Sequence, residues 1–94
     1  MFMEDLQADP SAMRSRATAM HRHAESLRNL GQRLDRRVEG LRFEGPAAMR
    51  FRAGVAERSQ RARGAAHRLD ELADRIQSEA ARLEQHADRR ITGA

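Results

Sequence analysis

Apolar and small residues recur at alternating steps of four and three along most of the chain, on both sides of a break near its midpoint. Before the break the series is Met13, Ala17, Met20, Ala24, Leu27, Gly31, Leu34, Val38 and Leu41. After the break it is Ala48, Phe51, Val55, Arg58, Ala62, Ala65, Leu69, Leu72 and Ile76. This spacing places a seam along one side of an α-helix, and no alternating strand pattern competes with it. The pattern predicts two long helices, at about residues 10–41 and about residues 46–91.

The break itself, Arg42 to Pro46, has the chemistry of a turn. Proline lacks a backbone N–H and suits the first position of a helix, and it disfavours helical geometry at the preceding residue, which glycine tolerates well. We therefore expect residues 1–94 to form one all-α domain, an antiparallel two-helix hairpin about a turn at 42–46. The ring of Phe43 is expected to close the turn end, and Asp9 and Pro10 are expected to start the first helix.

Folding the two series back on each other predicts the pairs across the hairpin. Leu27 then faces Ala62, and the charged Arg58 faces Gly31, where its stem could cross and place the guanidinium in water. After Ile76 the apolar series shifts to Ala80, Leu83, Ala87 and Ile91, which is a stutter in the heptad pattern. The end of the second helix either overhangs the first or pairs with the amino-terminal arm through Leu6 and Leu83.

A hairpin of 94 residues buries little core of its own, so a partner is expected. Beside the seam runs a further series at seven-residue spacing, joined by one leucine of the first helix: Ala66, Ala73, Ala80, Ala87 and Leu30. We expect a single hairpin to leave this series exposed as a dimer face that completes a four-helix bundle. The alternative is that alanine recurs because it is a good helix former.

The charge of the chain is carried by arginine. All 18 basic residues are arginine against 14 acids, which gives a net charge of +4 and a pI near 11.3. Near the start of the second helix, where the macrodipole disfavours cations, arginines outnumber acids. The candidate patch for an acidic protein partner is Arg50, Arg52, Arg61, Arg63 and Arg68. The alternative is a solvated face.

Other chemistry has little support in the sequence. There is no cysteine, and His21, His23, His67 and His86 are spaced as separate, solvated helix-surface residues. No catalytic pair or phosphate loop is present, so we expect no enzyme activity, cofactor or bound metal. Without tryptophan, tyrosine or a helix-turn-helix pattern, nucleic-acid binding is the weaker alternative. The start, Met1 to Asp5, lacks a Sec signal, and no run is long enough to span a membrane.

The run Phe43-Glu44-Gly45-Pro46-Ala47-Ala48-Met49-Arg50-Phe51 resembles the central W-x-G turn of the WXG family, the ESAT-like helical hairpins of type VII secretion systems in actinobacteria and related bacteria. Phe43 stands where the family has tryptophan, Gly45 matches the glycine, and Phe51 matches a following aromatic position. The mid-chain position of the motif, the length of the chain and the two flanking helices all fit.

The resemblance implies a coiled-coil hairpin that dimerises antiparallel, as a homodimer or as a heterodimer with a sister WXG-type protein. It also implies a non-enzymatic substrate or partner of a type VII secretion system and of its secretion ATPase. Such a protein is secreted by a non-Sec route and is cytoplasmic before export. Because the chain has no tyrosine for a Tyr-x-x-x-Asp or Tyr-x-x-x-Glu export signal, either the partner supplies one or this member is not itself secreted. An intracellular helical adaptor remains the alternative.

Overall fold

The chain folds as an antiparallel hairpin of two helices, as the sequence predicts. The computed structural model describes the backbone of residues 9–92 and the side chains of residues 9–88. Helix α1 spans Pro10–Glu39 and helix α2 spans Pro46–Thr92, and the described residues contain no strand. The two helices pack along each other and meet at a turn of residues 40–45.

Helix α1 is capped at both ends by local hydrogen bonds. The carboxylate of Asp9 accepts from the backbone N–H groups of Ser11 at 3.0 Å and Ala12 at 3.2 Å. The N–H groups in the first turn of a helix have no partner within the helix, so the Asp9 carboxylate satisfies two of them. Pro10 has no backbone N–H and needs no partner. At the other end, Gly40 donates its N–H to the carbonyl oxygen of Arg36 at 3.1 Å. The helix therefore ends at Glu39, two residues before the end expected from the sequence.

The turn depends on one glycine conformation. Gly45 has a φ of +109°, which places it where residues with a Cβ are strained, and Pro46 follows as the first residue of α2. The carbonyl oxygen of Gly45 accepts the N–H of Met49 at 3.0 Å, so α2 starts directly from the glycine. The sequence-based expectation of a non-helical step at Gly45 is confirmed.

The core of the hairpin is a line of small residues. On α1 the buried positions are spaced by seven, and on α2 they lie on two series with the same spacing. The buried residues are Ala17, Ala24 and Gly31 on α1 and Ala48, Val55, Ser59, Ala62, Ala66, Ala73 and Ala80 on α2. Small side chains let the helix backbones approach closely, so this seam relies on close packing rather than on large side chains.

The pairing expected across the seam is wrong from its middle toward the open end. Ser59, not Arg58, lies against Gly31, and Arg58 is exposed. Leu72, expected inside, is 46% exposed, whereas its neighbour Ala73 is fully buried. The physical reason is that serine and alanine fit opposite the small residues of α1, and the bulkier neighbours rotate to the flank.

Helix α2 runs without interruption through the expected stutter to Thr92. Near its end it still lies beside α1, because Arg14 forms an ion pair with Glu84. The pairing of Leu6 with Leu83 falls outside the described residues.

Candidate interaction faces of the hairpin

One side of the seam is lined by charged residues that join the two helices, and we call it the ionic side. Arg14 pairs with Glu84, and Arg63 pairs with Asp35. Arg28 donates from Nη1 to Oδ2 of Asp70 at 2.6 Å. On α1 these residues lie three positions before a buried residue or four after one, so they share one flank of the helix. Contacts of this kind at partly exposed sites orient two helices more than they stabilise them.

His21 belongs to the ionic side, and the expectation that it is a solvated, isolated histidine is wrong. Its Nδ1 lies 2.6 Å from Oδ1 of Asp70 and its Nε2 lies 3.3 Å from Oδ1 of Asp74. Both ring nitrogens of His21 thus face carboxylates of α2. His67 contacts Glu71 one turn later on its own helix, at 2.9 Å. In the sequence, Arg14, His21 and Arg28 are spaced by seven residues. This spacing is the signal that could have placed His21 on the same flank of α1 as the two arginines.

Two carboxylates of the ionic side, those of Asp35 and Asp70, have a pKa below the ordinary value. Hydrogen bonds from His21 first, and then from Arg28, lower the pKa of Asp70. The hydrogen bond from Arg63, followed by one from Ser59, lowers the pKa of Asp35. Each shift arises because the partner stabilises the charged carboxylate more than the neutral acid.

The other side of the seam is apolar, and we call it the apolar side. Since the ion pairs fix which flanks of α1 and α2 lie together, the opposite flanks must also lie together. Those flanks carry half-buried large residues: Met13, Met20, Leu27 and Leu34 on α1, and Leu69, Ile76 and Leu83 on α2. Next to them Leu30 is 42% exposed and Leu72 is 46% exposed. One long side of the rod therefore presents large aliphatic side chains to solvent.

This placement corrects the expected dimer face. Ala66, Ala73 and Ala80 are fully buried in the hairpin itself, so a single hairpin does not leave them exposed. Ala87 is exposed near the end of α2, and Leu30 is exposed as expected. A seven-residue series of alanines fits the seam because the opposite residues of α1 are equally small. Of the five positions, Leu30 is the one that the structure places beside the apolar side.

At the turn, two aromatic rings and one arginine form a compact cluster. The rings of Phe43 and Phe51 have centroids 6.1 Å apart, and the guanidinium carbon of Arg52 lies 5.4 Å from the centroid of Phe43. Arg52 also donates from Nη2 to the carbonyl oxygens of Phe43 at 2.8 Å and Leu41 at 3.3 Å. Phe43 does not close the turn end as a buried plug, because the ring packs on the surface of α2 and stays 39% exposed.

The candidate arginine patch divides into engaged and available side chains. Arg52 contacts the turn, Arg63 contacts Asp35 and Ser59, and Arg61 contacts Glu57 at 2.7 Å on its own helix. Arg50 and Arg68 have no carboxylate within 4.0 Å among the described residues. The patch is therefore less open than the sequence suggests, and only part of it is available to an acidic partner.

The described side chains form three surfaces: the apolar side, the ionic side and the turn. Between residues 9 and 88 no three metal-ligating side chains converge. Within the same part of the chain, no helix has the length and apolar character needed to cross a bilayer. Of these three surfaces, the apolar side exposes the large aliphatic side chains that suit contact with a protein partner.

No curated protein and no solved structure shows a significant match to the chain. The family model of WXG100, proteins of 100 residues with WXG, matches residues 5–88. In this chain Phe43, Glu44 and Gly45 occupy the turn, and tryptophan is absent. The match covers α1, the turn and α2 as far as residue 88, so the chain belongs to the WXG100 family and, with it, to the small helical proteins of type VII secretion.

Proposed function

We propose that this hairpin is a non-enzymatic interaction module of a type VII secretion system, which pairs through its apolar side with a second hairpin to form a four-helix bundle. The second hairpin is another copy of this chain or a sister WXG-type protein. The observation that carries the proposal is the asymmetry of the rod: one long side is ionic and the other is apolar.

The apolar side needs a cover that the hairpin cannot supply. Its large residues stay half-buried or exposed because the small residues of the seam hold the helices close and leave the bulky ones on the flank. Each large aliphatic side chain gains about 1.5–3 kcal/mol on full burial. A second hairpin laid along this side would bury them in the manner of a four-helix bundle. The ionic side has no such need, since its charges already contact one another.

Within the secretion system, the proposed role is that of a substrate or of the partner that accompanies one. The turn residues Phe43, Gly45, Pro46 and Phe51 present the family motif on the surface, where a partner or the secretion ATPase can contact it. The chain has no tyrosine, so in a heterodimer the sister protein would supply a Tyr-x-x-x-Asp or Tyr-x-x-x-Glu signal. The protein would then be cytoplasmic before export and would leave by a non-Sec route.

The test is assembly state, measured with and without a WXG-type protein encoded by a neighbouring gene. Sedimentation at micromolar concentration should show two hairpins per particle, either two copies or one of each. Leu72→Glu should leave mostly single hairpins, because it places a charge in the middle of the apolar side. Ser78→Glu is the matched control, since Ser78 is an exposed residue of the same helix at a position away from the seam.

Two results would contradict the proposal. One is a wild-type hairpin that stays monomeric with every WXG-type partner offered. The other is an equal effect of Leu72→Glu and Ser78→Glu on association, which would remove the apolar side from the interface. Retained helicity in both variants, measured by circular dichroism, distinguishes lost association from lost folding.

A further inference from the structure

Exposed apolar side chains are concentrated at the turn end of the rod. Four of the six large apolar residues that are exposed in the described part of the chain lie between residues 41 and 51. Leu41 is 38% exposed, Phe43 39%, Phe51 50% and Met49 69%. Met49 and Phe51 are two residues apart on α2, so they point to nearly opposite sides of the helix. The turn end thus presents apolar groups in more than one direction.

The same end is basic. Residues 36–52 contain five arginines (Arg36, Arg37, Arg42, Arg50 and Arg52) and two glutamates (Glu39 and Glu44), which gives 5 − 2 = +3. No ion pair joins any of these seven residues to another described residue. At the open end, residues 9–22 contain three arginines and one acid, and residues 69–92 contain four arginines and six acids, which gives 7 − 7 = 0. The turn end is therefore more basic than the open end and richer in exposed apolar side chains.

The turn is held in place so that its apolar groups stay outside. Arg52 donates to two carbonyl oxygens of the turn and lies over the ring of Phe43, which supports that ring from the α2 side. The positive φ of Gly45 and the hydrogen bond from the Met49 N–H to the Gly45 carbonyl oxygen join the turn directly to α2. The turn therefore keeps its conformation while its apolar side chains stay exposed.

We propose that the turn end binds an anionic lipid surface end-on, with the apolar side chains at the acyl boundary and the arginines among the headgroups. A fluid interface surrounds the tip and can cover apolar groups that point in opposite directions, which a single protein groove cannot. Arginine stems cover apolar surface while their guanidinium groups reach the headgroups. Basic residues near an anionic leaflet each strengthen binding, and the open end, which carries no net charge, gains no such attraction.

The first experiment is flotation with vesicles of phosphatidylglycerol and phosphatidylcholine, compared with vesicles of phosphatidylcholine alone. Wild type should bind only the anionic vesicles. The double variant Arg42→Gln, Arg50→Gln should bind them about tenfold more weakly or worse. The control Arg16→Gln, Arg75→Gln removes the same charge from exposed positions away from the turn and should bind like wild type. Equal loss in the two double variants, or no binding of wild type, would overturn the proposal.

The second experiment locates the inserted end. Since the chain contains no tryptophan or tyrosine, a single introduced tryptophan is an unambiguous fluorescent reporter. Emission from Phe43→Trp should shift to the blue on adding anionic vesicles and be quenched by brominated acyl chains. Emission from Leu72→Trp, at another exposed apolar position, should change in neither way. A shift at both positions would show that the rod lies flat on its apolar side, and no shift at Phe43→Trp would show that the turn does not insert. Either result overturns end-on binding.

Discussion

The hydroxyl of Ser59 donates a hydrogen bond to the carbonyl oxygen of Gly31 at 3.3 Å, in the middle of the seam between the helices. Ser59 is 1% exposed and is the only buried polar residue among those described. Its hydroxyl also accepts from Nη1 of Arg63 at 2.8 Å, and Arg63 in turn pairs with Asp35 on α1. A chain of polar contacts therefore crosses the seam at the one level where a residue without a side chain leaves room for it.

This contact makes Gly31 sensitive to added volume. A Cβ at Gly31 would lie 3.3 Å from Oγ of Ser59 and 3.5 Å from its carbonyl oxygen. Gly31→Leu should therefore overpack the seam, whereas Gly54→Leu should stabilise α2, because nothing lies within 4 Å of a Cβ at Gly54. The two variants should differ by roughly 2 kcal/mol in the free energy of unfolding in urea. Equal stabilities would show that the helices are not in close contact at this level.

The alanine series of α2 should behave as core. Ala73→Glu places a carboxylate where the structure has a fully buried methyl group, and should lower the free energy of unfolding by about 3 kcal/mol. Ala56→Glu is the matched control, since Ala56 is exposed on the same helix and glutamate is also a good helix former. Thermal melts by circular dichroism would measure both. A fully stable Ala73→Glu hairpin that only fails to dimerise would return this alanine to the subunit interface.

Backbone strain at position 45 should limit which residues the turn tolerates there. Nothing lies within 4 Å of a Cβ at this residue, so a side chain meets no steric obstacle, but its φ of +109° disfavours any residue with a branched Cβ. Gly45→Val should cost about 1–3 kcal/mol in the free energy of unfolding. Glu44→Val, at the preceding exposed position, should cost much less because Glu44 has no positive φ. A melting temperature unchanged by Gly45→Val would mean that the turn adopts another conformation at no cost.

Acid should weaken the ionic side. The pKa values of Asp35 and Asp70 are lowered from 3.8 in the folded hairpin, so the unfolded chain takes up protons first as the pH falls. Their stabilisation is fully present above the unfolded pKa and is lost as the pH falls through the folded pKa. Urea midpoints should therefore decrease between about pH 5 and pH 2.

The double variant Asp35→Asn, Asp70→Asn tests the source of this acid dependence. It should be less stable than wild type near neutral pH and should show a shallower fall in acid. Glu44→Gln, in the exposed turn, should keep the steep fall of wild type. If the double variant retained the same slope, other carboxylates would account for the acid sensitivity.

The arginine patch at Arg50, Arg52, Arg61, Arg63 and Arg68 remains a prediction about an acidic protein partner. Contacts between exposed charges weaken with salt, because the screening length falls to about 3 Å at 1 M. The affinity for a cognate partner should fall with salt more in wild type than in the double variant Arg50→Glu, Arg68→Glu. These are the two arginines of the patch that form no ion pair or turn contact with another described residue. Titration calorimetry at low and high salt would show it, and identical salt dependence would remove the patch from the interface.

The sequence by itself determined the hairpin. Two heptad series flank a Gly-Pro break, and Asp9 and Pro10 stand where α1 begins, so the helices, the turn and the positive φ of Gly45 follow from local chemistry. The burial of Ala17, Ala24 and Gly31 follows as well, because on α1 one seven-residue series is consistently small.

Only the tertiary structure decided which face of α2 meets α1. Two series run side by side on that helix, one through Arg58, Ala65 and Leu72 and the other through Ser59, Ala66 and Ala73, and periodicity alone does not distinguish them. The choice depends on what lies opposite: against Gly31 and Ala24, serine and alanine allow the closer approach, and Leu72 is left on the flank. The rotation of α2 about its own axis that brings Ser59 and Ala73 into the seam also brings together residues far apart in sequence, such as His21 and Asp70. The same rotation places the large aliphatic residues on the apolar side.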